Sequence, residues 1–185
     1  MRSSERAQDL GEVFTPHSVV SSMLDMIPNA VANSAFKVLE PACGDGNFLV
    51  EILGRRLEEI DANFMSESQF GLSVIKCVSG LYGVDIDETN VSDCRERLQD
   101  CLSNFLATKT HPQSEALLQS AQAIIRTNVV VGDTINSPTE IVLIEYTPGE
   151  DGFFTRTHFF LEEPERDLFF VELPTLEPMH FLRVE

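Results

Sequence analysis

The stretch VLEPACGDGNFL, Val38 to Leu49, decides how this chain is read. A strand-like run ends in Glu40, a turn of small residues follows, and a helical periodicity opens at Asn47. Gly44 and Gly46 permit positive φ and let a ligand approach the backbone closely, while the helix after them directs its free N–H groups at that ligand. A nucleotide is the usual tenant of such a turn. The dinucleotide fingerprint GxGxxG is incomplete here, because Leu49 stands in the place of the third glycine. Asp45 also brings negative charge where a pyrophosphate needs neutral backbone and the positive end of a helix. A ligand without phosphates fits the turn better.

Working outward, residues 14–27 read as a helix with Thr15 as N-cap, Pro16 at the first helical position and an apolar stripe of Val19, Val20, Met23, Leu24 and Ile27. Residues 35–40, AFKVLE, read as a short buried strand. From Asn47 to about residue 62 the apolar set Phe48, Leu49, Ile52, Leu53, Leu57 and Ile60 recurs at helical spacing, which leaves Arg55, Arg56, Glu58 and Glu59 for the solvent face. Helices at 67–79, 90–107 and 114–124 alternate with strands at 81–86 and 127–133, and Asp87 is the natural cap of the 90–107 helix. Strands alternating with helices imply an α/β fold with a parallel, doubly wound sheet. After Asp133 the pattern changes. Strands at 141–147 and 153–161 joined by PGEDG make a β-hairpin, 167–174 is a further strand, and this region is expected to complete the same sheet. One domain over 1–185 follows, with a core at 11–136 and a hairpin-rich part at 137–185.

The 185 residues carry 13 Lys and Arg against 30 Asp and Glu, a net charge of -17. Residues 1–133 contribute -9 of it and residues 134–185 contribute -8, so the acid excess is densest at the C-terminal end. Affinity for duplex nucleic acid rests on Lys and Arg neutralising phosphates, so tight DNA binding by the isolated chain is not expected. No apolar run is long enough for a membrane span, and the first residues lack the apolar core of a signal peptide; a cytoplasmic protein is expected. Cys43, Cys77, Cys94 and Cys101 form no CxxC pair and sit in apolar surroundings, as buried free thiols do, and no metal site is expected.

Three acids fall at predicted strand ends: Glu40, Asp85 in YGVDID and Asp133 in VVVGDT. In a doubly wound sheet all three converge on the carboxyl edge, where such folds bind ligands. S-adenosylmethionine suits an acid-rich pocket, since its sulfonium and ammonium are cations and its ribose hydroxyls and adenine amine are donors. At this point the sequence resembles the N6-adenine DNA methyltransferases, the modification subunits of restriction systems. GEVFTPHSVVSSML resembles their N-terminal TP element, LEPACGDGNFL their cofactor loop (D/E)PACGxGxFL, and YGVDID and VVVGDTI the next two cofactor elements. The resemblance covers about residues 11–136 and implies a Rossmann-like S-adenosylmethionine-dependent methyltransferase fold. It implies that Phe14, Thr15 and Pro16 lie beside the methionine portion of the cofactor and that Glu40 receives its ammonium. Ala42, Gly44 and Gly46 would line the turn, Asp85 would hold the ribose hydroxyls, Ile86 would lie against the adenine, and Asp133 would accept from its amine.

The family's catalytic signature, (N/D/S)PP(Y/F/W), is absent: NSPT at 136–139 comes too early and lacks an aromatic, and EYTP at 145–148 lacks paired prolines. The 52 residues after Asp133 leave no space for a target-recognition domain. Two readings remain open. One is a methyltransferase acting on a small or partner-presented acceptor mainly by positioning the sulfonium carbon. The other is a non-catalytic cofactor-binding subunit of a restriction or modification system that uses the hairpin region as an interaction edge. Both allow a protein partner that supplies substrate recognition.

Overall fold

A computed structural model describes residues 15–60, 66–109, 114–164 and 173–183. Phe14 and most of the 167–174 strand expectation lie outside these residues. The elements in order are α1 (His17–Leu24), α2 (Pro28–Ala32), β1 (Val38–Glu40), α3 (Asn47–Glu58), α4 (Glu67–Ser79), β2 (Leu81–Asp85), α5 (Glu88–Lys109), α6 (Ser114–Asn128), β3 (Val129–Val131), a 3₁₀ turn (Pro138–Glu140), β4 (Val142–Pro148), β5 (Phe153–Phe160) and β6 (Met179–His180).

The first three strands form a parallel sheet in the order β1-β2-β3, with Leu39 opposite Tyr82 and Val84 opposite Val130. Helical crossovers connect them, as parallel pairing requires. The strand pattern of β2 sorts its side chains between two environments. Leu81 joins the main core with Leu49, Leu53, Cys94 and Leu98 of the helices, and a Cβ at Gly83 would meet Leu49 and Cys43. Tyr82 and Val84 form a second cluster with Ile141, Leu143, Val130, Phe159 and Leu161, none of them helical. Tyr82 meets the Phe159 ring edge-on at 5.4 Å.

The C-terminal hairpin therefore covers the face of β2 on which a doubly wound sheet carries helices. It does so as its own antiparallel sheet, β4-β5-β6, which corrects the expectation that it completes the first one. The physical reason is that β4 and β5 pair antiparallel with each other and carry apolar side chains on both faces, Leu143 and Phe159 toward Tyr82 and Val84, Ile144, Tyr146 and Phe154 toward the main core, rather than a helical stripe. Side chains join the two sheets: Asn128 exchanges two 2.9 Å hydrogen bonds with the Ile144 backbone, and Lys37 pairs with Glu145.

Several helix expectations shift at their ends. Pro16, with ψ 145°, takes the N-cap position of α1 without a side-chain bond, so Thr15 is not the cap. Pro28 starts the separate α2. The 114–124 helix continues to Asn128 because Ile124, Ile125 and Asn128 extend its buried face, and β3 shrinks to three residues. Asp87 does cap α5, accepting from the Thr89 amide at 2.7 Å. Cys43, Cys77 and Cys94 are buried free thiols and Cys101 is half-buried. Among the described residues, no helix is long and apolar enough to cross a membrane.

Two corrections bear on the rest. Residues 35–40 are not a buried strand: β1 keeps only Val38–Glu40, and Leu39 is 42% exposed because β1 lies at the sheet edge. Arg56 does not face solvent. It is 1% exposed and donates to the carbonyls of Val31 (3.1 Å), Cys77 (3.3 Å) and Phe36 (2.6 Å). Val31 and Cys77 lie in the last turns of α2 and α4, whose carbonyls lack intrahelical donors, so one guanidinium serves two helix ends. Helical periodicity marks which face is buried but does not say that a fork of donors is wanted there.

Candidate functional site

The turn after β1 is the centre of the site. Gly44 has φ 53° and Gly46 φ 89°, the left-handed conformation the sequence required of them. Gly46 is the N-cap of α3, and a Cβ there would lie 2.6 Å from Cys94 Sγ of α5. The turn is thus shaped from inside by α5 as well as by its own backbone preference. The Gly46 amide donates to the Cys43 carbonyl at 2.9 Å and the Cys43 amide to the Val84 carbonyl at 2.9 Å, which locks the turn onto β2.

Three hydrogen bonds bring the predicted elements together around this turn. Asp85 Oδ2, at the end of β2, accepts from the Gly44 amide at 2.8 Å. Asn47 Nδ2, the first residue of α3, donates to the Thr15 carbonyl at 3.1 Å and so draws the TP element to the turn. Thr134 Oγ1 donates to the Pro41 carbonyl at 3.1 Å and brings in the segment after β3. These residues are remote in sequence and converge because parallel strands end on one edge.

The side chains differ in how they are held. Glu40 is half-buried, and burial lifts its carboxyl above the ordinary value, only partly offset by the Ala42 amide. A cation beside it would restore its charge. Asp85 Oδ1 accepts from the Asp87 amide at 2.9 Å and from Asn90 Nδ2 at 3.3 Å, so this carboxylate already organises three groups and keeps its freest lone pair on Oδ2. Asp133 does not close β3: it lies two residues past Val131. Its carboxyl is held below the ordinary range by Asn136, whose side chain donates at 2.7 Å and whose amide donates at 2.9 Å, and by the Ile135 amide at 3.0 Å. Ile86, just past β2, is 66% exposed, and Ala42 and Pro16 are exposed as well.

Sequence reasoning missed several participants. Arg97 of α5 donates to the Asp45 carbonyl at 2.8 Å and stands 3.0 Å from its carboxylate, so the intruding charge has a counter-ion. That pairing softens the case against a phosphate drawn from Asp45 alone. Asn47, Asn90, Thr134 and Asn136 hold the loops. Each sits within a few residues of a recognised motif, but only Asn136, in the local D-x-x-N turn, has a partner that its spacing could have predicted.

A sequence-family profile described as N-6 DNA Methylase matches residues 1–111. No curated protein and no solved structure matches the chain. The matched region takes in the TP element, the glycine turn and the YGVDID element and stops before Asp133.

Proposed function

Because this chain belongs to the N-6 DNA methylase family, we propose that its site binds S-adenosylmethionine and serves methyl transfer. The observation that carries this reading is the convergence of Thr15, the Gly44–Gly46 turn, Asp85 and Thr134 through three hydrogen bonds. The residues present fit the cofactor. Glu40, whose burial disfavours its own negative charge, gains from a neighbouring ammonium. Asp85 Oδ2 offers an acceptor to a ribose hydroxyl, exposed Ile86 offers an apolar surface to the adenine, and Asp133 offers its carboxylate to the adenine amine. Phe14, Pro16 and Ala42 are proposed to complete the contact. When bound, the cofactor supplies an electrophilic methyl group on a cationic sulfur. The chain's own contribution is to fix that carbon at the sheet edge by holding both ends of the cofactor.

Methyl transfer of this kind needs no covalent nucleophile, so the missing (N/D/S)PP(Y/F/W) segment bears on the acceptor rather than on the cofactor. A net charge of -17 supports an acceptor delivered by a partner over one bound as naked duplex.

Calorimetry with S-adenosylmethionine, and with ATP as the phosphate-bearing control, tests the reading. Saturable binding of S-adenosylmethionine is expected, weakened at least about tenfold in Ile86→Asp, an exposed position whose change leaves the melting temperature in place. Absence of saturable binding, or tighter binding of ATP, would refute it.

A further inference from the structure

Asn47, Glu51 and Arg55 fall four residues apart on α3 and so share one face of that helix. Each reaches a different point of the segment that carries Thr15 and Pro16. Asn47 Nδ2 donates to the Thr15 carbonyl at 3.1 Å, and Glu51 Oε2 lies 3.0 Å from His17 Nε2 at the start of α1. Arg55 spans three partners. Its Nε donates to Glu51 Oε1 at 2.8 Å, its Nη1 to Asp25 Oδ1 at 2.7 Å, and its Nη2 to the Ser21 hydroxyl at 2.8 Å and the Ser21 carbonyl at 3.2 Å. The partners follow in the same order along both segments, so α1 is tied to α3 at three successive turns.

Packing alone does not fix α1 in this place. Val20 and Leu24 are buried, but Val19 and Met23 of the same apolar stripe are exposed, and the N-cap Pro16 makes no side-chain bond. Two apolar anchors four residues apart leave a short helix free to roll and slide, because hydrophobic contact has no direction. Hydrogen bonds do have direction. The bond from Asn47 to Thr15 would by itself act as a pivot. The ties one and two turns further along α3 fix the angle at which the Thr15–Pro16 segment meets the glycine turn. They add little to global stability, since the His17 and Asp25 side chains are 78% and 66% exposed.

We propose that Arg55, through Glu51 and Ser21, is a positioning residue for the cofactor site: it holds α1 so that Thr15 and Pro16 stay beside the Gly44–Gly46 turn. Arg55 lies eight residues, about 12 Å of helix, beyond Asn47, too far along α3 to touch a ligand at the turn. The proposal rests on the S-adenosylmethionine reading given above and adds to it a residue outside the cofactor's reach.

Calorimetry with S-adenosylmethionine and hydrogen–deuterium exchange, both on the full chain, test it. Arg55→Met should melt within a few degrees of the parent yet bind S-adenosylmethionine about three- to fivefold more weakly, because the cofactor must then order α1 as it binds. Exchange at the amides of 17–24 should quicken in this variant while 81–85 and 88–109 exchange as in the parent, a pattern that a general loss of stability does not give. Ser21→Ala should weaken binding in the parent and have no further effect in Arg55→Met, since the two act through one contact. Losses that add in the double variant, quickened exchange spread over the whole chain, or a large fall in the melting temperature of Arg55→Met overturns the proposal. A parent chain without saturable binding removes it together with the function proposed above. A parent that binds the cofactor, beside an Arg55→Met that binds it equally well, removes this proposal alone.

Discussion

Replacing Arg56 by Met should destabilise the protein by about 3 kcal/mol, and the geometry says why. The guanidinium is 1% exposed and lies against three carbonyls, those of Val31, Cys77 and Phe36, at 2.6–3.3 Å. Methionine fills a similar volume but donates nothing. Each buried carbonyl left without a donor costs about 1–3 kcal/mol, so three would cost about 3–9 kcal/mol. The change also relieves the desolvation of a buried cation, which holds the Arg56 pKa below its ordinary value and which no described carboxylate compensates. That relief and the access of water to the α2 end bring the net to the lower bound. For a chain of this size about 3 kcal/mol corresponds to a fall of about 6–12 °C in Tm. Lysine at 56 keeps the charge but reaches fewer of the three acceptors, and should recover about half of the loss. Neighbouring Arg55 is the control: its partners Asp25 and Glu51 are reachable by water, and Arg55→Met should cost no more than about 1 kcal/mol. Urea titration and thermal melting followed by circular dichroism read all three. If Arg56→Met melts with the parent, or Arg55→Met costs as much, the account of Arg56 as the donor for two helix ends is wrong.

Gly46→Ala forces a left-handed φ on a side chain whose Cβ meets Cys94 Sγ, and should lose about 1–3 kcal/mol together with cofactor binding, whereas Gly54→Ala, with open space around it in α3, should gain about 0.5–1 kcal/mol; melting curves and calorimetry compare them. Glu40 carries a pH dependence. A carboxyl raised by burial above its ordinary 4.5 contributes stability that is complete below that value and is lost as pH rises through the raised one. Glu40→Gln should therefore be more stable than the parent in urea at about pH 7, and the difference should vanish in acid below the ordinary value. Cofactor affinity in the parent should fall as Glu40 is protonated, and this fall should be absent in Glu40→Gln. S-adenosylmethionine at about 100 times its Kd should add about 2.7 kcal/mol, seen as a rise of about 5–10 °C in Tm, and ATP at the same concentration should add none.

The local code of the glycine turn was legible because its physics is local. Gly44 and Gly46 need positive φ wherever the chain goes, Asp87 caps the next helix through residues two and three positions on, and the apolar period of 47–58 names its buried face except for Arg56. The strand-end positions of Glu40 and Asp85 were legible for the same reason, since the βα pattern sets the direction of each strand. What the sequence could not express was partnership at a distance. Arg56 and Arg55 are adjacent and chemically identical in the sequence, and only the approach of the α2 and α4 ends makes one a buried staple and the other a surface ion pair. Arg97 answers Asp45 from 52 residues away.

The sequence by itself determined an α/β chain with a glycine turn opening on acids at the strand ends, because backbone conformation and amphipathic period are set within a few residues. Only the tertiary structure decided that the hairpin forms its own sheet over Tyr82 and Val84, and that among the described residues β1 pairs with β2 alone. Which surfaces meet depends on the summed packing of segments far apart in the chain, and no local pattern in residues 38–40 records which strand they pair with.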